Sequence, residues 1–278
     1  MGSPWEVRIL QDIQGQIHLE KDVITILDDF DATYSRFSPH SLVTQLAHTS
    51  GKVVVPNDLV TMLRHYARIY IATQHKVNPL VGGSIEDLGY DAHYSLQPKK
   101  DIRSVPLLET AITILDDTTL EIHKPSLIDI GAVGKGYAVK LVADYLEAHG
   151  ITAFLINGSG DLLQKGPEPI TVGLENPFNT DEAIGTIQLH NASLGSSGSN
   201  RRKWGNLHHI IDPDTLASPN DIAATWVITE DPALADLLST AIFLVHPDTL
   251  LKQYDFEWLI VSSQHHATYS KGFIAELF

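Results

Sequence analysis

The chain of 278 residues contains no cysteine, and its 19 lysines and arginines are outnumbered by 34 aspartates and glutamates. The missing thiol excludes a disulfide scaffold, a thiolate nucleophile, a CxxC redox pair, a Cys-ligated zinc and a protein-ligated iron–sulfur cluster. Oxygen, amine and imidazole chemistry remains. The shortage of basic residues leaves a formal charge of -15, which disfavours a nucleic-acid or anionic-membrane partner, because phosphate surfaces are bound through Lys and Arg clusters. Long apolar runs are also missing. No window approaches the ~18 uncharged apolar residues of a membrane span, so no membrane segment is expected. Met1 to Leu10 lacks the basic start and apolar stretch of a signal peptide, and the sequence so read is expected to be cytoplasmic. A chain of this length buries up to ~75% of its unfolded surface and needs no covalent staple.

Period-two alternation predicts a strand over Trp5–Leu10, and three- and four-residue apolar steps predict a helix over Glu20–Thr33. A second helix opens at Pro56-Asn57, presents Leu59, Leu63, Tyr66, Ile69 and Tyr70 inward, and ends near His75. Val77–Ser104 is rich in Gly, Pro and Asp and reads as a functional loop. Ala111–Leu115 and Thr119–His123 form a hairpin around Asp116-Asp117. A strand at Leu127–Ile130 leads into a Gly-rich turn, then a helix over Lys135–Glu147, a buried strand at Ala153–Ile156 and a turn over Asn157–Asp161. Further strands are expected at Ile170–Leu174, Ile184–Leu189, His208–Ile211, Ala223–Thr229 and Trp258–Ser262, with a last helix over Ala233–Val245 opened by Pro232. Strands with segregated helices make this α+β, a single compact unit over residues 1–278 that could divide into two lobes.

Three groups of residues carry chemistry. The run Asp129-Ile130-Gly131-Ala132-Val133-Gly134-Lys135-Gly136 places glycines and a lysine at a helix N-terminus, where free N–H groups favour an anion such as phosphate. It is neither a dinucleotide fingerprint nor a P-loop, and taken alone a tight turn with a solvated lysine is the plainer account. Asp236 and Thr240 share one helix face, and a carboxylate with a hydroxyl suits Mg²⁺. An Asp near a helix start and a Thr bonded to a carbonyl are the plainer account. His208-His209 lacks the third ligand of a zinc site. Ser196-Ser197-Gly198-Ser199 lacks a nucleophile elbow and reads as a serine-rich turn.

Read in order, these segments resemble the FAD:protein FMN transferase (ApbE-like) family. Met1-Gly2-Ser3-Pro4-Trp5 is similar to its opening Met-Gly-Thr strand, and Ser35-Arg36-Phe37-Ser38-Pro39-His40-Ser41 to its Ser-x-aromatic-x-x-x-Ser. Val77-Asn78-Pro79-Leu80-Val81-Gly82 resembles Phe-Asp-Pro-Thr-Val-Gly, and His209-Ile210-Ile211-Asp212-Pro213 and Ala235–Ala241 also match. The family's Asp-Pro-Arg-Thr-Gly is here Asp212-Pro213-Asp214-Thr215-Leu216, with a negative charge where a positive one stands. The resemblance implies a T-fold-like core and a transferase that uses Mg²⁺ to move FMN from FAD to a Thr or Ser hydroxyl of a target flavoprotein, releasing AMP. It implies Asp236, Thr240 and the Ala132 carbonyl as metal ligands. Met1, Phe37, Lys76, Val77, Asn78, Asp129, Lys135 and Ile210 would line the FAD. Asp129, His208 and His209 are candidates for the general base, with Asp129 and His209 as the catalytic pair. Two other outcomes use the same pocket: an FAD pyrophosphatase yielding FMN and AMP, and a flavin-binding protein without turnover.

Overall fold

Alternation decides which side chains leave the central sheet on which face. The computed structural model describes residues 4–12 and 18–278. Seven antiparallel strands form the sheet, in the spatial order Trp5–Ile9, Phe154–Gly158, Asp161–Lys165, Ala192–Gly198, Ile222–Thr229, Glu257–Ser262 and Ala267–Tyr269. Phe154, Ile156, Leu163 and Val227 point to one face and join a core with Val139, Val142, Leu146, Leu237 and Leu238 of the helices Gly134–Ala148 and Pro232–Ala241. Their neighbours Leu155, Leu162, Trp226 and Leu259 point the other way. They meet Leu174, Ile187 and Leu189 from a second sheet of Ile170–Glu175, Ala183–Leu189 and Ala275–Leu277. Helices thus cover one face of the large sheet and a small sheet covers the other. The helices Leu19–Tyr34 and Asn57–Ala72 complete the helical layer through Leu27, Phe30, Leu59, Leu63 and Ile69.

The Pro232 helix is the element on which the site depends. Asp231 caps it by accepting from the Ala233 N–H at 2.9 Å, and Pro232 at its first position needs no N–H partner. Glycines let it sit unusually close to its neighbours. A Cβ on Gly136 would overlap the Pro232 carbonyl, and one on Gly195 would overlap the Ala235 carbonyl and crowd the Asp236 nitrogen at 2.6 Å.

The expected helices at residues 20–33, 56–75 and 135–147 are present as Leu19–Tyr34, Asn57–Ala72 and Gly134–Ala148. Five expectations need correction. Leu127–Ile130 pairs with no strand; the Asp129 N–H donates instead to the Pro79 carbonyl at 2.7 Å. Val77–Ser104 contains a 3₁₀ turn over Pro79–Val81 and a helix over Gly82–Asp87, started by the Asn78 side chain accepting from the Leu80 N–H. The serines expected in a turn belong to the central strand Ala192–Gly198, where Ser196 and Ser197 pair with Trp226 and Thr225. Of the expected 208–211 strand only His208 is paired, in a short strand Leu207–His208 against Lys203–Trp204, and the last helix stops at Ala241 and not at Val245. No described helix is long and apolar enough to cross a membrane.

The close approach of strand and helix at Gly195 generates a test. Gly195→Ala should destabilise the protein by ~1–3 kcal/mol through overpacking against backbone that has little room to yield. Gly173→Ala, whose Cβ would meet only the Ala183 Cβ at 3.8 Å, should change stability by less than ~0.5 kcal/mol. Urea unfolding of both variants measures the difference, and equal midpoints would refute the packing account.

Candidate active site

The first turn of the Gly134–Ala148 helix delivers Lys135 between two buried carboxylates. Asp161 follows a tight turn in which Ser159 and Gly160 adopt positive φ of 60° and 103°, and Asp236 comes from the Pro232 helix. Lys135 Nζ donates to Asp161 Oδ2 and lies 3.2 Å from Asp236 Oδ1, while the Gly136 N–H donates to Asp236 Oδ2 at 3.0 Å. The two carboxylate side chains are 1% and 2% exposed, so two acidic groups face one ammonium in a poorly solvated place. Burial pushes the Asp236 carboxyl above its ordinary value, against the opposing pull of Lys135 and the Gly136 amide.

One helical turn beyond Asp236, Thr240 Oγ1 lies 3.2 Å from Ser197 Oγ, which is 2.8 Å from Ser239 Oγ. The Ala132 N–H donates to the buried Tyr66 hydroxyl at 3.2 Å, and burial keeps that phenol protonated. These donors are hard oxygens, and the excess of acidic groups over ammonium favours a cation, so the residues fit Mg²⁺ better than zinc or copper. Among the described residues no group of three or more His, Cys, Asp or Glu could hold a metal by itself. Hydroxyl, carbonyl and substrate oxygens would have to complete any shell around Asp236.

Asp129 is fixed from both sides. Its Oδ1 accepts from the Gly131 N–H at 2.6 Å and its Oδ2 from Arg36 Nε at 2.7 Å. A carboxylate so engaged is suited to holding a ligand more than to removing a proton. Arg36 lies over the rings of Phe37 and Tyr90, at 4.2 and 4.9 Å from their centroids, and Tyr94 stacks on Phe37 at 5.4 Å. Apolar and cationic faces meet here beside the acidic floor.

The two histidines separate. His208 is fully buried, with Nε2 against the Pro219 carbonyl at 2.8 Å and Nδ1 accepting from the Ile210 N–H at 3.3 Å, and it does not line the cavity. Both its nitrogens are engaged, which removes it as a general base. His209 lines the cavity, and its buried Nδ1 has no hydrogen-bond partner. Burial first, then the positive charges of Arg202 and Lys135 and the neighbouring His208, push its imidazole down to about 3. It is neutral at pH 7.

A cavity of about 1210 Å³ joins these pieces, larger than the ~300–1,000 Å³ of ordinary small-molecule pockets. Phe37, Lys76, Val77, Asn78, Asp129, Ala132, Lys135, His209, Ile210, Asp236 and Thr240 all line it. Met1 lies outside the described residues. Two of the expected contacts have side chains committed elsewhere. Asn78 donates to the Pro106 carbonyl while it caps Leu80, and Lys76 is clamped between Asp212 at 2.7 Å and Asp214 at 2.8 Å. The sequence reading missed Asp161, Arg36 and Ser197 as members of the site. All three lie in segments that resemble the family, Asp161 in the Asn157–Asp161 turn, Ser197 in Ser197-Gly198 and Arg36 at a variable place in the Ser35–Ser41 segment, but the resemblance gave none of them a role.

Comparison with known proteins places this geometry in a wider set. The profile of the ApbE family matches residues 1–258. A protein named FAD:protein FMN transferase from Klebsiella pneumoniae (strain 342) is 26% identical over 260 residues, covering 87% of this chain and 79% of the relative. The flavin transferase ApbE from Vibrio cholerae superposes with a TM-score of 0.77 at 20% identity, covering 98% of this chain and 95% of that one. The apo flavinyl transferase ApbE of Pseudomonas stutzeri gives 0.80 at 20% identity over 98% and 93% of the two chains. At that identity the superpositions establish likeness of fold.

The suppressed basicity of His209 has a consequence for stability. Its folded-state value of about 3 lies below the ordinary 6.5, so the unfolded chain binds a proton that the folded chain refuses. Stability is therefore fully present above pH 6.5 and declines as pH falls from there toward 3. His209→Gln should flatten that decline, by up to ~1.4 kcal/mol per pH unit. Urea unfolding at pH 7, 6 and 5 measures both slopes, and parallel slopes would contradict a neutral imidazole in the folded protein.

Proposed function

The chain belongs to the ApbE family, and from that premise we propose that it is an Mg²⁺-dependent transferase that moves FMN from FAD to a Thr or Ser hydroxyl of a target flavoprotein. The observation that carries this reading is the meeting in one cavity of Lys135, an oxygen-rich floor around Asp236, an aromatic wall at Phe37 and a neutral histidine. Each part answers a need of phosphoryl transfer to a protein hydroxyl.

Asp236, Thr240 and the Ala132 carbonyl would hold the metal, with Asp161 beside them. Bound there, Mg²⁺ supplies charge neutralisation to the pyrophosphate and to the departing phosphate. Lys135 is the mobile cation of the floor, and its ammonium can pass from the carboxylates to a phosphate oxygen. Phe37 offers a face to a flavin or adenine ring. Asp129, held by Arg36 and the Gly131 amide, lines the same space.

In the transfer itself, the acceptor hydroxyl oxygen attacks the phosphorus of the FMN half. The bond from that phosphorus to the bridging oxygen breaks, and AMP departs carrying the bridging oxygen. The acceptor hydroxyl donates a hydrogen bond to His209, whose imidazole is neutral at pH 7, and the proton released as the new phosphorus–oxygen bond forms passes through the imidazole to solvent. Burial that makes the imidazole neutral also makes it a weak base, so His209 acts chiefly by accepting a hydrogen bond from the hydroxyl until phosphorus–oxygen bond formation acidifies it.

Incubation with FAD, Mg²⁺ and a flavoprotein carrying an acceptor Thr should yield a covalently flavinylated, fluorescent band and one AMP per flavin. Asp236→Ala should reduce the rate by ~10²-fold or more, the scale on which removal of one electrostatic stabiliser is felt. Full activity in that variant would sink the metal assignment. AMP release at the same rate without acceptor protein would favour the hydrolytic reading, and flavin binding without AMP the binding protein.

A further inference from the structure

The guanidinium of Arg36 is buried and incompletely paired. Its side chain is only 4% exposed. Nε donates to Asp129 Oδ2 at 2.7 Å and Nη1 to the Tyr90 carbonyl at 2.8 Å, but Nη2 is buried without a hydrogen-bond partner among the described residues. A donor on a buried charge left unmatched is costly, and native structures seldom keep one without a use. In a guanidinium, Nε and Nη2 share the edge that grips a carboxylate with two parallel bonds. Here that edge makes one bond, because Asp129 Oδ1 is turned to the Gly131 N–H. The second place on the edge is free.

Arg36 and Asp129 both line the cavity, and the rings of Phe37, Tyr90 and Tyr94 line it beside them. Each Asp129 oxygen accepts one bond and retains capacity for another, and its side chain is 14% exposed. A donor at Nη2 therefore stands next to an acceptor at Asp129, against aromatic faces. The ligand chemistry that answers all three is the edge of a flat heteroaromatic ring, with a ring nitrogen or carbonyl acceptor adjacent to an N–H.

We propose that Arg36 is a specificity-determining contact for a ring of the bound dinucleotide, donating from Nη2 to an acceptor on the ring edge whose neighbouring N–H donates to Asp129. This rests on the function proposed above. Both halves of FAD offer such an edge: the flavin ring has an N–H flanked by carbonyls, and adenine an amino group beside a ring nitrogen. Arg36→Lys keeps a cation for Asp129 but removes the fork, and separates this role from that of a simple charge partner.

The test is to titrate wild-type, Arg36→Lys and Arg36→Gln proteins with FAD, FMN and AMP by calorimetry in the presence of Mg²⁺, with thermal midpoints recorded alongside. FAD affinity should fall ~10–100-fold in both variants, and the same loss should appear for FMN or for AMP but not for both, which names the ring. In wild-type protein, methylation of the flavin ring N–H or removal of the purine amino group should weaken the ring so named, a measurement that does not depend on either variant folding. Folded variants that bind all three ligands as wild type does, or that lose FMN and AMP affinity equally, overturn the contact while the function stands. Wild-type protein that binds none of the three overturns both.

Discussion

The ammonium of Lys135 between Asp161 and Asp236 is the interaction on which the rest of the site depends. It joins the N-terminus of one helix, the start of a central strand and the middle of a second helix. A buried carboxylate without such a partner would be protonated or would unfold its surroundings, and two of them side by side are tolerable only with a cation between them. The close backbone approaches at Gly136 and Gly195 serve the same end, because they bring the Pro232 helix near enough for Asp236 to receive the Gly136 amide. The scaffold thus holds a small region of concentrated charge that a polar substrate can enter.

The aromatic wall stands on a different support. Phe37 and Tyr90 belong to a separate apolar cluster with Trp204, whose Nε1 donates to the Leu88 carbonyl at 2.9 Å. The acidic floor rests on the main helical core and the aromatic wall on this smaller cluster. Under the proposed function, recognition of rings and handling of phosphate would be built from different parts of the chain, with Asp129 at their border through its bond to Arg36.

Much of this was legible in the sequence, for identifiable reasons. The long helices have strong three- and four-residue periodicity, and the strand at Phe154 is a continuous apolar run between a Gly stop and a Gly-rich turn. Those signals are local. The strand Ala192–Gly198 was hidden because its half nearer the site is Gly-Ser-Ser-Gly, with Gly195 against the Pro232 helix and the Ser197 hydroxyl near Thr240, so its composition imitates a turn. Ile210 and Ile211 read as strand from composition but are buried in a loop that pairs with nothing. The same division holds for the site. Asp236, Thr240, Lys135 and Asp129 were found together only through the order of motifs, since no spacing rule links residues a hundred positions apart. The role of Arg36 became visible only once the chain had folded, because what distinguishes it is burial and the partners that face it.

The clamping of Lys76 by Asp212 and Asp214 has a kinetic side. Five lysines and arginines line the cavity: Arg36, Lys76, Lys135, Arg201 and Arg202. Four of them are paired with carboxylates of the same chain, leaving Arg202 without an ion pair among the described residues. Seen from beyond a Debye length, ~8–10 Å, such pairs cancel, and the surrounding charge of -15 repels an anion. An anionic dinucleotide of the kind proposed would therefore meet no long-range funnel drawing it in, and its arrival would be set by ordinary collision and by the rate at which Lys135 could trade carboxylate for phosphate. Selectivity in this cavity is exercised after contact, by what a ligand displaces.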